Sequence, residues 1–218
     1  MRIGVISKGA VGAFLQAHTE EESDLLLFGF NGTGQVSYEQ ELEGKTNRFE
    51  EVALLSAKNK CVVVSGCITD THGHKRKSAV VAENGRLLGV SDLIHVVDGG
   101  EGVGGGASLR VYETRVGRMG VVVGEDLRFP EVLHALTVCG ADFVVCPFER
   151  SKEIDTVVLR ALAYCYGTPV LFCANGYASV ADAFGNLPFA SFDSPSFFDF
   201  TIAREYHLIS TRRKCTMA

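Results

Sequence analysis

Residues Tyr112 to Glu131 read YETRVGRMGVVVGEDLRFPE, a stretch that changes conformation twice. The β-branched run Val121 to Val123 has the composition of a buried strand, and Gly124 interrupts it. Glu125 and Asp126 then stand at a turn where a carboxylate caps the amides that begin the next helix. Pro130 supplies the fixed φ of a first helical turn, and the helix it opens buries Leu133 and Leu136 and stops at Gly140. Strand, sharp turn and helix in immediate succession are the unit of a layered α/β fold.

The same alternation continues on both sides. Downstream, Phe143 to Cys146 and Val170 to Cys173 read as buried strands. Between them Lys152 to Tyr166 reads as a helix whose apolar stripe is Ile154, Val157, Val158, Ala161, Leu162 and Cys165, ended by Gly167 and Pro169. Upstream, Leu25 to Phe28, Cys61 to Ser65 and Ser78 to Ala82 have the same strand character, and MRIGVISKGA at the N-terminus contains another short strand. The polar stretch TDTHGHKRKS and the turn Glu83-Asn84-Gly85 separate antiparallel neighbours, so the sheet is expected to be mixed. Gly99 to Gly106 is the one strongly indicated flexible loop.

The chain has 218 residues, 46% of them hydrophobic, enough for one sizeable core, and residues 1–218 are expected to form a single domain. Net charge is -5 with Lys and Arg dispersed, which leaves no footprint for nucleic acid or an anionic membrane. No apolar run reaches the length of a membrane span and the N-terminus lacks a secretory h-region, so a cytoplasmic protein is expected. Seven cysteines without a CxxC pair or zinc spacing are read as mostly reduced core residues.

Taken together, YETRVGRMGVVVGEDLRFPE, SAVVAENGRLLG (Ser78 to Gly89), Gly140-Ala141-Asp142 with the strand to Pro147, and LRALAYCYGTPVLFCAN (Leu159 to Asn175) resemble the nitrilase, or carbon-nitrogen hydrolase, superfamily. The resemblance spans nearly the whole chain, with a first helix and a post-Pro147 loop that are short for the family. It implies a four-layer αββα sandwich with mixed sheets, commonly a homodimer, and chemistry in which a Cys nucleophile, a Glu base and a charge-stabilising Lys cleave nitriles or amides without a cofactor.

Carried over position by position, the Glu falls at Phe30, the Lys at Leu93 before Ile94-His95, and the Cys at Gly124 before Glu125-Asp126-Leu127-Arg128. The resemblance therefore implies a member without the triad, a pseudoenzyme that binds a ligand or a protein partner in a more hydrophobic pocket. The candidate pocket residues are Glu101, which falls near the family's second Glu, together with Glu125, Asp126, Arg128 and Cys146. Four of the five have a plainer reading: helix capping for Glu125 and Asp126, an Arg128–Glu131 ion pair clamping the turn, and a buried inert thiol for Cys146. Arg128 can also hold an anionic ligand by a bidentate contact. His72 and His74 form an HxH pair, but within an exposed basic turn, and no metal site is assigned. Two other functions compete: a diverged hydrolase using Cys146, Glu125 or Glu101, and a nucleotide-binding regulator built on the glycine run, which lacks both P-loop and GxGxxG context.

Overall fold

The computed structural model describes residues 1–17, 21–96 and 103–203. Its elements, in chain order, are β1 (Arg2–Ile6), α1 (Val11–Gln16), β2 (Leu25–Phe28), β3 (Gly34–Ser37), α2 (Tyr38–Leu42), α3 (Arg48–Lys58), β4 (Val62–Thr71), β5 (His74–Glu83), β6 (Arg86–Asp92), β7 (Val111–Thr114), β8 (Gly117–Val121), a 3-10 turn (Gly124–Arg128), α4 (Pro130–Val138), β9 (Phe143–Pro147), α5 (Glu153–Tyr166), β10 (Val170–Ala174), β11 (Tyr177–Ala181), β12 (Phe189–Ser191) and β13 (Ser196–Asp199).

Two sheets result. The first runs β13-β1-β2-β4-β5-β6 with β3 beside β4; β1, β2 and β4 are parallel, while β5, β6 and β13 are antiparallel to their neighbours. The second runs β12-β11-β10-β9-β8-β7, with β8, β9 and β10 parallel at its centre and antiparallel strands on both flanks. Both sheets are mixed, as expected.

The continuous apolar runs are explained by burial on both faces. Leu25, Leu27, Val62 and Val64 face the second sheet and meet Val121, Phe143, Val145, Leu171 and Cys173 in a shared inter-sheet core. Their neighbours Leu26, Phe28 and Val63 point the other way, against Val11, Val52 and Leu55 of α1 and α3. On the far side Val144, Cys146, Val170 and Phe172 pack under Leu133, Leu136, Leu159 and Leu162 of α4 and α5. The period-2 alternation thus builds four layers, α, β, β, α, with each buried Val or Leu contributing about 1.5–3 kcal/mol.

The β4–β5 and β5–β6 turns carry consecutive left-handed residues, His72 and Gly73 at φ 51 and 85, and Asn84 and Gly85 at φ 50 and 77. That is the backbone of tight hairpin turns whose twist matches the strands. It places His72 and His74 in an exposed turn, where His72 Nδ1 meets Glu39 at 3.2 Å.

Several elements differ from expectation. The strand read at Val121 to Val123 begins earlier, as β8, because Gly117 at φ 119 turns a hairpin with β7. Helix α5 is present, but it buries Asp155, Leu159, Leu162 and Ala163, whereas Ile154, Val157, Ala161 and Cys165 of the expected stripe are exposed. The helix carries two apolar stripes, and the sheet takes the one containing Leu159. Cys139 and Cys165 are accordingly exposed, while Cys61, Cys67, Cys146 and Cys173 are buried. No helix among the described residues is long and apolar enough to cross a membrane.

Candidate functional site

The turn that follows β8 is the structural centre of the site. Val123 is extended, Gly124 takes a left-handed φ of 51, and the chain continues as the 3-10 turn into α4. A side chain at a left-handed position costs about 1–2 kcal/mol, which glycine avoids. Space itself is not limiting, since a Cβ built on Gly124 would meet only Leu93 Cδ1, at 3.9 Å.

Asp126 holds the opposite wall in place. Its buried carboxylate accepts from the amides of Ile94 at 2.7 Å and His95 at 2.9 Å, and pairs with His95 Nδ1 at 2.9 Å. The His95 ring stacks on Phe129, with centroids 4.1 Å apart. Asp126 therefore fastens residues 94 and 95 to the turn, and Leu93 is carried over Gly124. The helix capping expected of Glu125 and Asp126 is not what they do: neither side chain caps the helix, Asp126 bonding the segment after β6 and Glu125 bonding Lys77.

Phe30 follows β2. Its amide donates to Phe148 O at 3.3 Å, and its backbone lies against Gly66 of β4, where any Cβ would collide with it. Phe30 and Leu93 are 1% and 3% exposed and belong to the inter-sheet core. Leu93 thus lies against Gly124, and Phe30 belongs to the same inter-sheet core as Leu93. A cavity of about 80 Å³ bordered by Phe30, Ser7, Asn31 and Asn175 is too small for an organic substrate. Larger cavities of about 600 and 440 Å³ lie elsewhere, one beside Arg2 and Arg115 and one beside Val157 and Phe192.

Above the Phe30 ring sits Lys77, 5.6 Å from the ring centroid. Its Nζ donates to both carboxylate oxygens of Glu125, each at 3.2 Å, and to Glu149 Oε2 at 3.0 Å. Burial opposes the Lys77 charge, but the hydrogen bond to Glu149 and the charge of Glu125 outweigh it and raise the pKa. Sequence reading found Glu125 but missed Lys77 and Glu149. A signal for Lys77 existed: it lies two and four residues before Ala79 and Val81, both inward-facing, so a charge stands at a core position of a period-2 strand.

The remaining candidates separate from this cluster. Cys146 lies on the outer face of the second sheet, among helix-layer residues such as Leu133 of α4 and Leu159 of α5, with Sγ 4.0 Å from Gly124 O. Burial first, then the charges of Asp126 and Glu125, push its thiol well above the ordinary range. Arg128 does not clamp the turn through Glu131. It pairs with buried Asp155 at 2.9 Å and lies over the Phe148 ring, because α5 brings a buried carboxylate to it while Glu131 points outward, 3.9 Å from His95 Nε2. Glu101 lies outside the described residues, as does part of the glycine run. Gly104 and Gly106 donate their amides to Lys75 O and Leu93 O, which removes these two amides from phosphate binding.

The carbon-nitrogen hydrolase family model matches residues 23–187. The fold is similar to that of Nit3 from Saccharomyces cerevisiae, described as a member of branch 10 of the nitrilase superfamily, with TM-score 0.77 and 15% identity over 100% of this chain and 94% of that one. It is also similar to an amidase from Nesterenkonia sp., with TM-score 0.77 and 17% identity over 99% and 95% of the two chains. A carbon-nitrogen hydrolase from Helicobacter pylori G27 gives TM-score 0.72 and 18% identity over 100% and 92%. No curated protein matches the chain.

Proposed function

Because the chain belongs to the carbon-nitrogen hydrolase family, we propose that it is a non-catalytic member whose former reaction centre has become part of the core, and that it acts by binding rather than turnover. The observation that carries this reading is the burial of Phe30 and Leu93, with Leu93 lying against Gly124: two buried hydrocarbon side chains and a residue without one, where the resemblance assigns base, charge stabiliser and nucleophile. Acyl transfer through a thiolate needs a nucleophile that reaches the substrate and is ionised near neutral pH. Cys146 meets neither condition, since it faces the helix layer and its proton is held tightly.

Thiol labelling tests this point. Under native conditions Cys139 and Cys165 are expected to be alkylated by iodoacetamide, and Cys146 only after unfolding. Native modification of Cys146 faster than a free thiol, suppressed by small amides, would restore a hydrolase with a rebuilt site.

A diverged hydrolase draws its support from the Lys77, Glu125 and Glu149 cluster, which offers two carboxylate bases and a cation. Against it stands the pairing itself: the contacts to Glu125 and Glu149 engage the Lys77 ammonium, so it has no free donor for a developing oxyanion.

The association half of the reading rests on α5. Ile154, Val157 and Tyr164 expose an apolar stripe, flanked by Phe184 and by Phe192, which is 73% exposed. A contiguous patch of this kind marks an interface, and a second copy of the chain is the proposed occupant. Sedimentation at micromolar concentration is expected to show a dimer that Val157→Glu dissociates; a monomer at that concentration would remove the proposal.

A further inference from the structure

Three Asn-Gly pairs occur in the chain, Asn31-Gly32, Asn84-Gly85 and Asn175-Gly176, and each asparagine is exposed. Such a pair carries a reaction of its own, because glycine has no Cβ to obstruct attack by its amide nitrogen and bends freely toward the preceding side chain. The glycine nitrogen gives its proton to solvent and forms a bond to the asparagine Cγ. The Cγ–NH2 bond then breaks, the proton returns to the departing nitrogen, and ammonia leaves a five-membered succinimide. Water adds to one of the two ring carbonyls and opens the ring to aspartate or isoaspartate.

The attacking nitrogen must be free, and in this fold all three are engaged. Gly32 donates to Gly29 O and Gly176 to Ser7 O, each at 3.0 Å, so main-chain carbonyls hold both. Gly85 donates instead to a side chain, Ser56 Oγ of α3, at 2.9 Å. Ser56 is fully buried and its own hydroxyl donates to Ala53 O at 2.7 Å, which leaves its lone pairs for Gly85. An amide that lost its proton here would turn a negative nitrogen toward those lone pairs, so the bond opposes the first step. The turn also rests on α3 at a second point, where a Cβ on Gly85 would meet Ala57 Cβ at 3.3 Å. Asn84 and Gly85, at φ 50 and 77, are closed in by the paired Glu83 and Arg86.

We propose that Asn84 is a latent deamidation site and that the Ser56 hydroxyl guards it. Of the three pairs, this one depends on a single replaceable side chain. Conversion places a new carboxylate beside Glu83. The isoaspartyl product also lengthens the main chain of the hairpin turn by one carbon, which the Glu83–Arg86 register does not accommodate.

Full-length wild type and Ser56→Ala would be kept in mildly alkaline heavy-oxygen water, whose oxygen enters each new carboxylate, and the three pairs followed by peptide mass spectrometry. In folded Ser56→Ala, Asn84 is expected to convert about fivefold faster than in the wild type, the scale of one lost hydrogen bond. Asn31 and Asn175 are expected to keep their wild-type rates. Equal acceleration of all three pairs would reduce Ser56 to a general stabiliser of the fold, and an unchanged rate at Asn84 would remove the guard; either overturns the proposal. The wild type gives a second reading that does not need the variant to fold. Asn84 is expected to convert at least about tenfold more slowly in the folded chain than in urea, because reaction waits for local opening, and the Gly85 amide to exchange slowly with solvent. Conversion at the unfolded rate, or a Gly85 amide that exchanges as freely as in urea, would overturn it.

Discussion

Replacing Phe30 by alanine is expected to cost about 3–5 kcal/mol, the range for removing a fully buried aromatic side chain from a close-packed core. Phe30 is 1% exposed, packs within the inter-sheet core and carries Lys77 above its ring. For a chain of this size the thermal midpoint should fall by roughly 6–20 °C, at about 2–4 °C per kcal/mol. A fall below about 2 °C would mean that the region is an open cleft and that Phe30 only lines it.

Asp126→Ala is expected to cost about 2–5 kcal/mol. The carboxylate is 1% exposed and satisfies two backbone amides and the His95 ring, so its removal leaves partly buried donors without an acceptor. The loss should be local as well as global. Amide exchange at Ile94 and His95 should accelerate more than exchange in β9 or β10, because these two donors lose their acceptor directly. Asp126→Asn should recover part of the stability, since its oxygen still accepts one of the amide bonds. A cost below about 1 kcal/mol, or unchanged exchange at Ile94 and His95, would show that the turn does not depend on Asp126.

The buried strands were legible in the sequence because burial on both sides leaves little choice of composition, while their stacking into four layers was what the resemblance implied. Leu25 to Phe28 and Val170 to Cys173 are apolar at every position, and each alternates between the inter-sheet core and a helix layer. The short flanking elements were not legible: β12 has three residues and β13 lies in a run of Ser, Asp and Phe, so pairing with β11 and β1 defines them more than any local pattern does. The burial face of α5 was misread for a related reason. Two stripes compete on one helix, and only the tertiary contact of Leu159 and Leu162 decides between them.

The site shows the same division. The resemblance singled out Phe30, Leu93 and Gly124, which lie far apart in sequence; the fold brings Leu93 against Gly124 and buries Phe30 in the same core as Leu93. The charges that surround them were harder to see, because Lys77 acquires its meaning from Glu125 and Glu149, 48 and 72 residues away. Arg128 likewise finds Asp155 rather than Glu131, a pairing that depends on where α5 begins. Helix start and sheet stacking set these partners, and neither is a property of the local sequence.

The central claim is the absence of turnover, and ammonia release measures it directly. The purified full-length protein would be incubated with small amides and nitriles, butyramide among them, and ammonia followed against a protein-free control and a Glu125→Gln/Glu149→Gln variant. The account predicts release indistinguishable from the control for every compound. Release proportional to protein concentration and abolished in that variant, or in Cys146→Ser, would contradict it and establish a hydrolase with a rebuilt site.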